Sequence, residues 1–132
     1  MKEQLKIEIV TEWDIVTARQ IGRKEAKAIG FDTVDQARIT TAISELARNI
    51  YLYAKSGEIL IQHLKNNNNV GIGVLAVDQG PGIKDVRSVL EEGYSTFGGL
   101  GAGLSGVKRL MDHIEIESEI GKGTTVRIEK WL

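Results

Sequence analysis

A carboxylate and a carboxamide lie four residues apart in the segment SELARN, at Glu45 and Asn49. On a helix this spacing puts the two side chains on one face, one turn apart, so that they could serve one ligand. Asn49 would lie just inside the apolar stripe of such a helix, with Glu45 close beside it. The same pair also suits the rim of an ordinary amphipathic helix, so other residues must decide between a site and a rim.

A second candidate is Asp78, which ends the apolar run of residues 73–77 and precedes the turn Gly80-Pro81-Gly82. A carboxylate held at a sheet edge can accept a hydrogen bond from an exocyclic amino group such as that of adenine. Gly80 and Gly82 lack side chains, so a flat ring could approach the backbone there. An ordinary junction between a strand and a turn would look the same.

A third candidate is the glycine run of residues 98–103, which leads into Leu104 and a short predicted helix. Glycines before a helix N-terminus expose backbone N–H groups to an anion, and the helix dipole favours phosphate there. The glycines at 101, 103 and 106 also match the dinucleotide-binding pattern. We reject that interpretation because no buried parallel strand precedes the run. The chain has no Walker A sequence and lacks the motifs of eukaryotic protein kinases.

The remaining candidates are weaker. Gly123 and Thr124 lie at the start of the last predicted strand and, taken alone, indicate no more than a turn. Lys108 and Arg109 could neutralise phosphate but are equally typical of an exposed surface. The two histidines have no metal-ligand spacing and receive no role.

These residues need elements that hold them together. Alternating apolar residues predict a strand over residues 5–9, and Thr11 then caps a helix from Glu12 to about Ile29 that Gly30 ends. The segment TVDQ at 33–36 has the pattern of a capping box, opening a second helix that lasts to about Ala54.

Two hairpins follow, with strands at 58–64 and 70–78 and at 114–118 and 124–131, and a helix from about Leu104 to Asp112 between them. Blocks of helices and hairpins without β-α-β alternation indicate an α+β two-layer sandwich with a mostly antiparallel, mixed sheet and helices on one face. We expect one domain over residues 1–132.

Composition excludes several classes of function. A net charge of -1 gives no reason to expect nucleic-acid or membrane-surface binding, and the chain has no cysteine for disulfides, thiolate metal sites or a nucleophile. The charged N-terminal residues and the absence of a long apolar run lead us to expect a cytoplasmic protein.

In order, the four weak patterns E-x-x-x-N, D-x-G-x-G, G-x-G-x-G and G-T resemble the N, G1 and G2 boxes and the terminal threonine of the GHKL superfamily, whose adenine-nucleotide site is the Bergerat fold. Within it, nearly the whole chain is similar to the RsbT family of bacterial serine/threonine switch kinases, which are related to the anti-sigma kinases RsbW and SpoIIAB.

The resemblance implies a role for each matching residue. Glu45 would be the base that accepts the proton of a substrate hydroxyl, and Asn49 would bind Mg²⁺ bridging the triphosphate of ATP. Asp78 would bind the adenine amino group. The rest of the implied nucleotide site comprises Gly80 and Gly82 below the purine, Thr124 supporting the adenine contact, and Gly99, Gly101, Gly103 and Leu104 around the phosphates.

Two features bear on the type of kinase. Residues 85–100 correspond to the ATP lid, which is short, and Leu52 occupies a position where sensor histidine kinases usually have a basic residue. Together with the absence of a phosphoacceptor histidine segment, this argues against a histidine-kinase fragment.

The resemblance also implies partners, namely STAS-domain substrates of the RsbS and RsbR kind and an RsbU-like phosphatase that the released kinase activates. Two alternatives stay open. One is an anti-sigma factor that mainly sequesters a sigma factor, and the other is an ATPase without a protein acceptor.

Overall fold

A computed structural model describes residues 4–89 and 100–132, whose five strands form one sheet in the order β1-β2-β3-β5-β4. The strands are β1 (Gln4–Ile9), β2 (Gly57–Asn66), β3 (Asn69–Asp78), β4 (His113–Glu119) and β5 (Gly123–Trp131), and the helices are α1 (Glu12–Ile29), α2 (Thr33–Asn49), α3 (Val86–Val89) and α4 (Leu100–Leu110). The predicted α+β class is confirmed. Every strand pair in the described residues is antiparallel, so the sheet there is not mixed.

The core lies between the helices and one face of the sheet. Its largest fully buried side chains include Ile39, Ile43 and Leu46 of α2 and Ile59 and Ile61 of β2. Burying an aliphatic side chain of this size stabilises the fold by about 1.5–3 kcal/mol. No helix among the described residues is long and apolar enough to cross a membrane.

The first helix begins and ends where local signals predict. Thr11 precedes α1, and the Asp14 carboxylate accepts hydrogen bonds from the N–H groups of Val10 and Thr11, each at 2.8 Å. Gly30 ends the helix in a left-handed conformation with a φ of 119°. These are the roles expected of a helix cap and a glycine terminator.

The second helix differs from the prediction at both ends. Its cap is Asp32 rather than Thr33, because the Asp32 carboxylate accepts from the Asp35 N–H at 2.8 Å. The α-helix stops at Asn49 and continues as one turn of π-helix, Ile50–Ala54. Lys55 then takes a positive φ of 73° and turns the chain into β2. Such π-helical turns occur frequently at functional sites.

The fourth helix begins earlier than predicted. It starts at Leu100 rather than near Leu104, so Gly101 and Gly103 lie within its first turns and not in a loop before it. Both predicted hairpins are present, and Asn67 has the positive φ of 58° expected in an asparagine-rich turn.

Candidate functional site

One cavity collects residues from six parts of the chain, namely the end of α2, the π-helical turn, the end of β3, the loop after β3, α4 and β5. Five of the residues proposed from sequence line it: Asn49, Asp78, Gly82, Leu104 and Thr124. Apolar side chains, including Leu46, Ile50 and Val126, form most of the remaining wall. The cavity therefore combines an apolar interior with a few polar groups, as small-ligand sites do.

Asp78 is the one charged residue among the described residues that line this cavity. It ends β3 and is paired in register with Thr124 of β5, so the sheet fixes its position. Burial raises the pKa of the Asp78 carboxyl, and hydrogen bonds from the backbone of Gly80 and Thr124 partly offset that rise. The Gly80 N–H donates to Asp78 Oδ1 at 2.8 Å. A half-buried carboxylate held in this way retains capacity to accept a hydrogen bond from a ligand.

Glu45 and Asn49 meet the start of α4. A Cβ atom added to Gly103 would lie 3.0 Å from Glu45 Oε2 and 3.8–3.9 Å from the Asn49 amide atoms. A larger residue at position 103 would therefore displace the Glu45 carboxylate by a few tenths of an ångström. Asn49 Nδ2 is buried and has no hydrogen-bond partner within the described part of the chain. Buried amide groups are normally hydrogen-bonded, so this group is placed to bond a ligand in the cavity.

The loop glycines have mainly a packing role. Gly82 lines the cavity with a positive φ of 83°, and an added Cβ would collide with the backbone at Glu119. Gly80 packs closely against Ala54, whose Cβ would be 2.6 Å from an added Cβ. Gly99 lies outside the described residues, as do residues 90–98 of the expected lid.

Sequence reasoning missed Ser118, which fastens the cavity wall. Its Oγ accepts from the Ile83 N–H at 2.7 Å and bonds the Thr124 hydroxyl at 2.8 Å. The Ser118 hydroxyl also donates to the carbonyl oxygen of Gly123 at 3.1 Å. The one available signal was register, because Ser118 and Thr124 face each other across the β4–β5 hairpin.

The other candidates lie away from the cavity. Lys108 and Arg109 are exposed. His63 Nε2 lies 2.7 Å from Glu25 Oε1, and His113 Nε2 lies 3.5 Å from Glu115 Oε2. Across residues 4–89 and 100–132, no three acidic, histidine or cysteine side chains gather as a metal site.

Residues 34–132 match the family described as histidine kinase-, DNA gyrase B- and HSP90-like ATPases. The chain is 60% identical over all of its 132 residues to the serine/threonine-protein kinase RsbT of Bacillus subtilis, covering 99% of that protein. It is 35% identical over 102 residues to an anti-sigma F factor of Caldanaerobacter subterraneus, with 73% of this chain and 70% of that protein covered.

Solved structures share the fold. A Mycobacterium tuberculosis protein with RsbU and RsbW domains superposes with a TM-score of 0.63 at 21% identity, over 98% of this chain but only 32% of that one. The mycobacterial sensor histidine kinase MprB gives a TM-score of 0.58 at 14% identity, over 99% and 97% of the two chains.

Proposed function

Because the chain belongs to the family of histidine kinase-, DNA gyrase B- and HSP90-like ATPases and is a serine/threonine-protein kinase of the RsbT kind, we propose that the cavity at Asp78 holds ATP and that Glu45 and Asn49 perform the transfer. The observation that carries this proposal is the close approach of Gly103 to Glu45 and Asn49 beside that cavity. The adenine end and the transfer end then belong to one continuous site.

Asp78 accepts a hydrogen bond from the adenine amino group, and the apolar walls around Ile50 and Val126 enclose the ring. The half-buried carboxylate favours this recognition because it is already fixed by backbone hydrogen bonds before the ligand arrives. Thr124, held by Ser118, supports the same edge of the ring. Gly101 and Gly103 let the first turns of α4 approach the phosphates.

Asn49 would hold Mg²⁺ as a single protein ligand beside the phosphates. The side-chain oxygen of Asn49 is a suitable ligand, and few protein ligands suffice for Mg²⁺ when phosphate and water oxygens supply the others. The ion would neutralise charge on the phosphates.

Glu45 acts as the general base. It accepts the proton of the acceptor hydroxyl while the hydroxyl oxygen bonds the γ-phosphorus and the bond to the bridging oxygen of ADP breaks. The Glu45 carboxylate lies close to the first turns of α4, beside the proposed phosphate position, and positioning supplies much of the rate in phosphoryl transfer.

The proposed substrates of this kinase are STAS-domain proteins of the RsbS and RsbR kind. Kinase and substrates act together in a bacterial partner-switching stress pathway in the cytoplasm. The released kinase would then bind and activate an RsbU-like phosphatase. The support for these partners is the 60% identity to RsbT over the whole chain. The anti-sigma alternative is not favoured, since the anti-sigma F relatives are distant, at 30–35% identity over part of the chain.

The test is transfer of labelled phosphate from ATP with Mg²⁺ to a STAS-domain protein from the same organism, comparing the wild type with Glu45→Gln. We expect the variant to bind ATP normally and to transfer at least about 100-fold more slowly, because the base is lost while the cavity remains. Glu117→Gln, at an exposed glutamate of β4, is the matched control and should transfer normally.

Normal transfer by Glu45→Gln would exclude Glu45 as the base. Equal loss of ATP affinity and transfer would assign it to nucleotide binding instead. Substantial ATP hydrolysis by the wild type without transfer to a protein would favour an ATPase that has no protein acceptor.

A further inference from the structure

A second concave surface lies between α1 and the end of α2, and we name it the α1–α2 groove. It is lined by Glu12, Trp13, Ile15, Val16, Arg19, Arg48, Tyr51 and Leu52. Trp13 is 78% exposed and Leu52 is 54% exposed, although both are large and apolar. An exposed tryptophan beside arginines is the composition typical of the energetic centre of a protein interface.

The groove carries uncompensated positive charge. Arg19 and Arg48 both line it, and neither makes an ion pair or side-chain hydrogen bond within the described part of the chain. Glu12 is the one acidic residue among the lining side chains. A surface that complements the groove therefore presents an apolar side chain with carboxylates beside it, since arginine pairs well with carboxylates.

Glu45 lies between the groove and the nucleotide cavity. At ~100° per residue, Arg48 lies about 60° to one side of Glu45 on α2 and Asn49 about 40° to the other. Arg48 lines the groove and Asn49 lines the cavity. A protein bound in the groove would thus approach Glu45 from a direction about 100° around the α2 axis from the nucleotide cavity.

We propose that the α1–α2 groove docks the protein substrate, through an acidic surface with an exposed apolar residue, so that the acceptor hydroxyl reaches Glu45. This inference rests on the proposed kinase function and adds the surface that selects the substrate. In this arrangement the exposed Leu52 supplies apolar contact area for the substrate.

The experiment measures KM for a STAS-domain acceptor from the same organism and Kd for ATP in Trp13→Ala and Arg19→Glu. Both variants should raise the acceptor KM at least about tenfold and leave the ATP Kd within about twofold. The matched controls are Ile120→Ala, at an exposed apolar residue of the β4–β5 turn, and Lys24→Glu, at an exposed cation of α1 outside the groove. Both controls should behave as the wild type does.

An unchanged acceptor KM in both variants would overturn the proposal, as would an equal loss of ATP affinity. A wild-type dimer that Trp13→Ala converts to a monomer in sedimentation would assign the groove to a second copy. Loss of phosphatase activation with normal transfer would assign it to the phosphatase. A wild type that transfers no phosphate would contradict the kinase function itself. Calorimetric binding of the same acceptor to the wild type and the variants would then test independently whether the groove docks it.

Discussion

The nucleotide cavity and the α1–α2 groove lie on either side of Glu45 and are built in opposite ways. Backbone and hydroxyl hydrogen bonds tie the cavity wall together around Asp78, Ser118 and Thr124. The groove instead exposes most of Trp13 and leaves Arg19 without an ion pair in the described residues. A prearranged cavity suits a small, constant ligand, whereas an unsatisfied surface suits a protein that supplies the missing contacts.

This difference implies that nucleotide binding and substrate selection can be altered separately. Substitutions near Glu45, where α2 meets α4, should instead affect the phosphoryl transfer itself.

Gly103→Ala tests the contact between α4 and Glu45. The added methyl group lies 3.0 Å from Glu45 Oε2, so the carboxylate must shift. We expect transfer to fall by about tenfold or more, because small displacements of a catalytic group are costly.

The matched control is Gly106→Ala, where an added Cβ meets nothing within 4 Å. It should keep activity and gain about 0.5–1 kcal/mol of stability from better helix propensity. Equal transfer rates in the two variants would show that the close approach is not needed.

Much of the fold could be predicted from sequence because the signals are local. Thr11 and Gly30 bound α1 by their own conformational preferences, and the Asn66–Asn69 segment closes a hairpin as its asparagines suggest. The start of α4 could not be predicted in this way. Glycine is a poor helix former, and the packing of Gly103 against α2 is a long-range contact that local propensity does not include.

The candidate site was predictable in composition more than in geometry. The order of the motifs indicated Asn49, Asp78 and Thr124, all of which line one cavity. The π-helical turn after Asn49 leaves no periodic signal in the sequence, and Ser118 is an ordinary strand serine until its partners are known. The groove was missed because it joins α1 to the end of α2, residues far apart in the chain.

Ser118→Ala tests whether the cavity is held in shape before ATP binds. The change removes hydrogen bonds to the Ile83 N–H and the Thr124 hydroxyl, so we expect the free energy of unfolding to fall by about 1 kcal/mol and ATP affinity to weaken several-fold. Chemical denaturation and calorimetry measure the two effects. Ser56→Ala, at an exposed serine, is the control. A stability loss with normal ATP affinity would mean that the cavity wall does not require this bond.

Asp78→Asn should make the free protein more stable at neutral pH, by less than about 1 kcal/mol after solvent screening. Because burial raises the pKa of Asp78, its contribution to stability is greatest below the unfolded-state pKa and is lost as the pH rises through the folded-state pKa. The asparagine cannot ionise, so the gain should vanish in acid. Thermal unfolding between pH 3 and pH 8 measures it.

Asp14→Asn should show the opposite sign. Backbone hydrogen bonds from Thr11 and Val10 lower the pKa of Asp14, so its contribution is present above the unfolded-state pKa and is lost as the pH falls through the folded-state pKa. This variant should be less stable at neutral pH, with a difference that shrinks in acid. The same pH response in both variants would contradict the contrast between the half-buried and the capping carboxylate.

The most direct test of the nucleotide assignment compares ATP with inosine triphosphate, which has an oxygen in place of the adenine amino group. Calorimetry of the wild type and Asp78→Asn with both nucleotides gives a double-mutant cycle. If Asp78 binds the amino group, the wild type prefers ATP and the variant loses about tenfold of that preference, because the inosine oxygen faces a carboxylate only in the wild type. An equal ATP preference in the two proteins would show that adenine is recognised elsewhere.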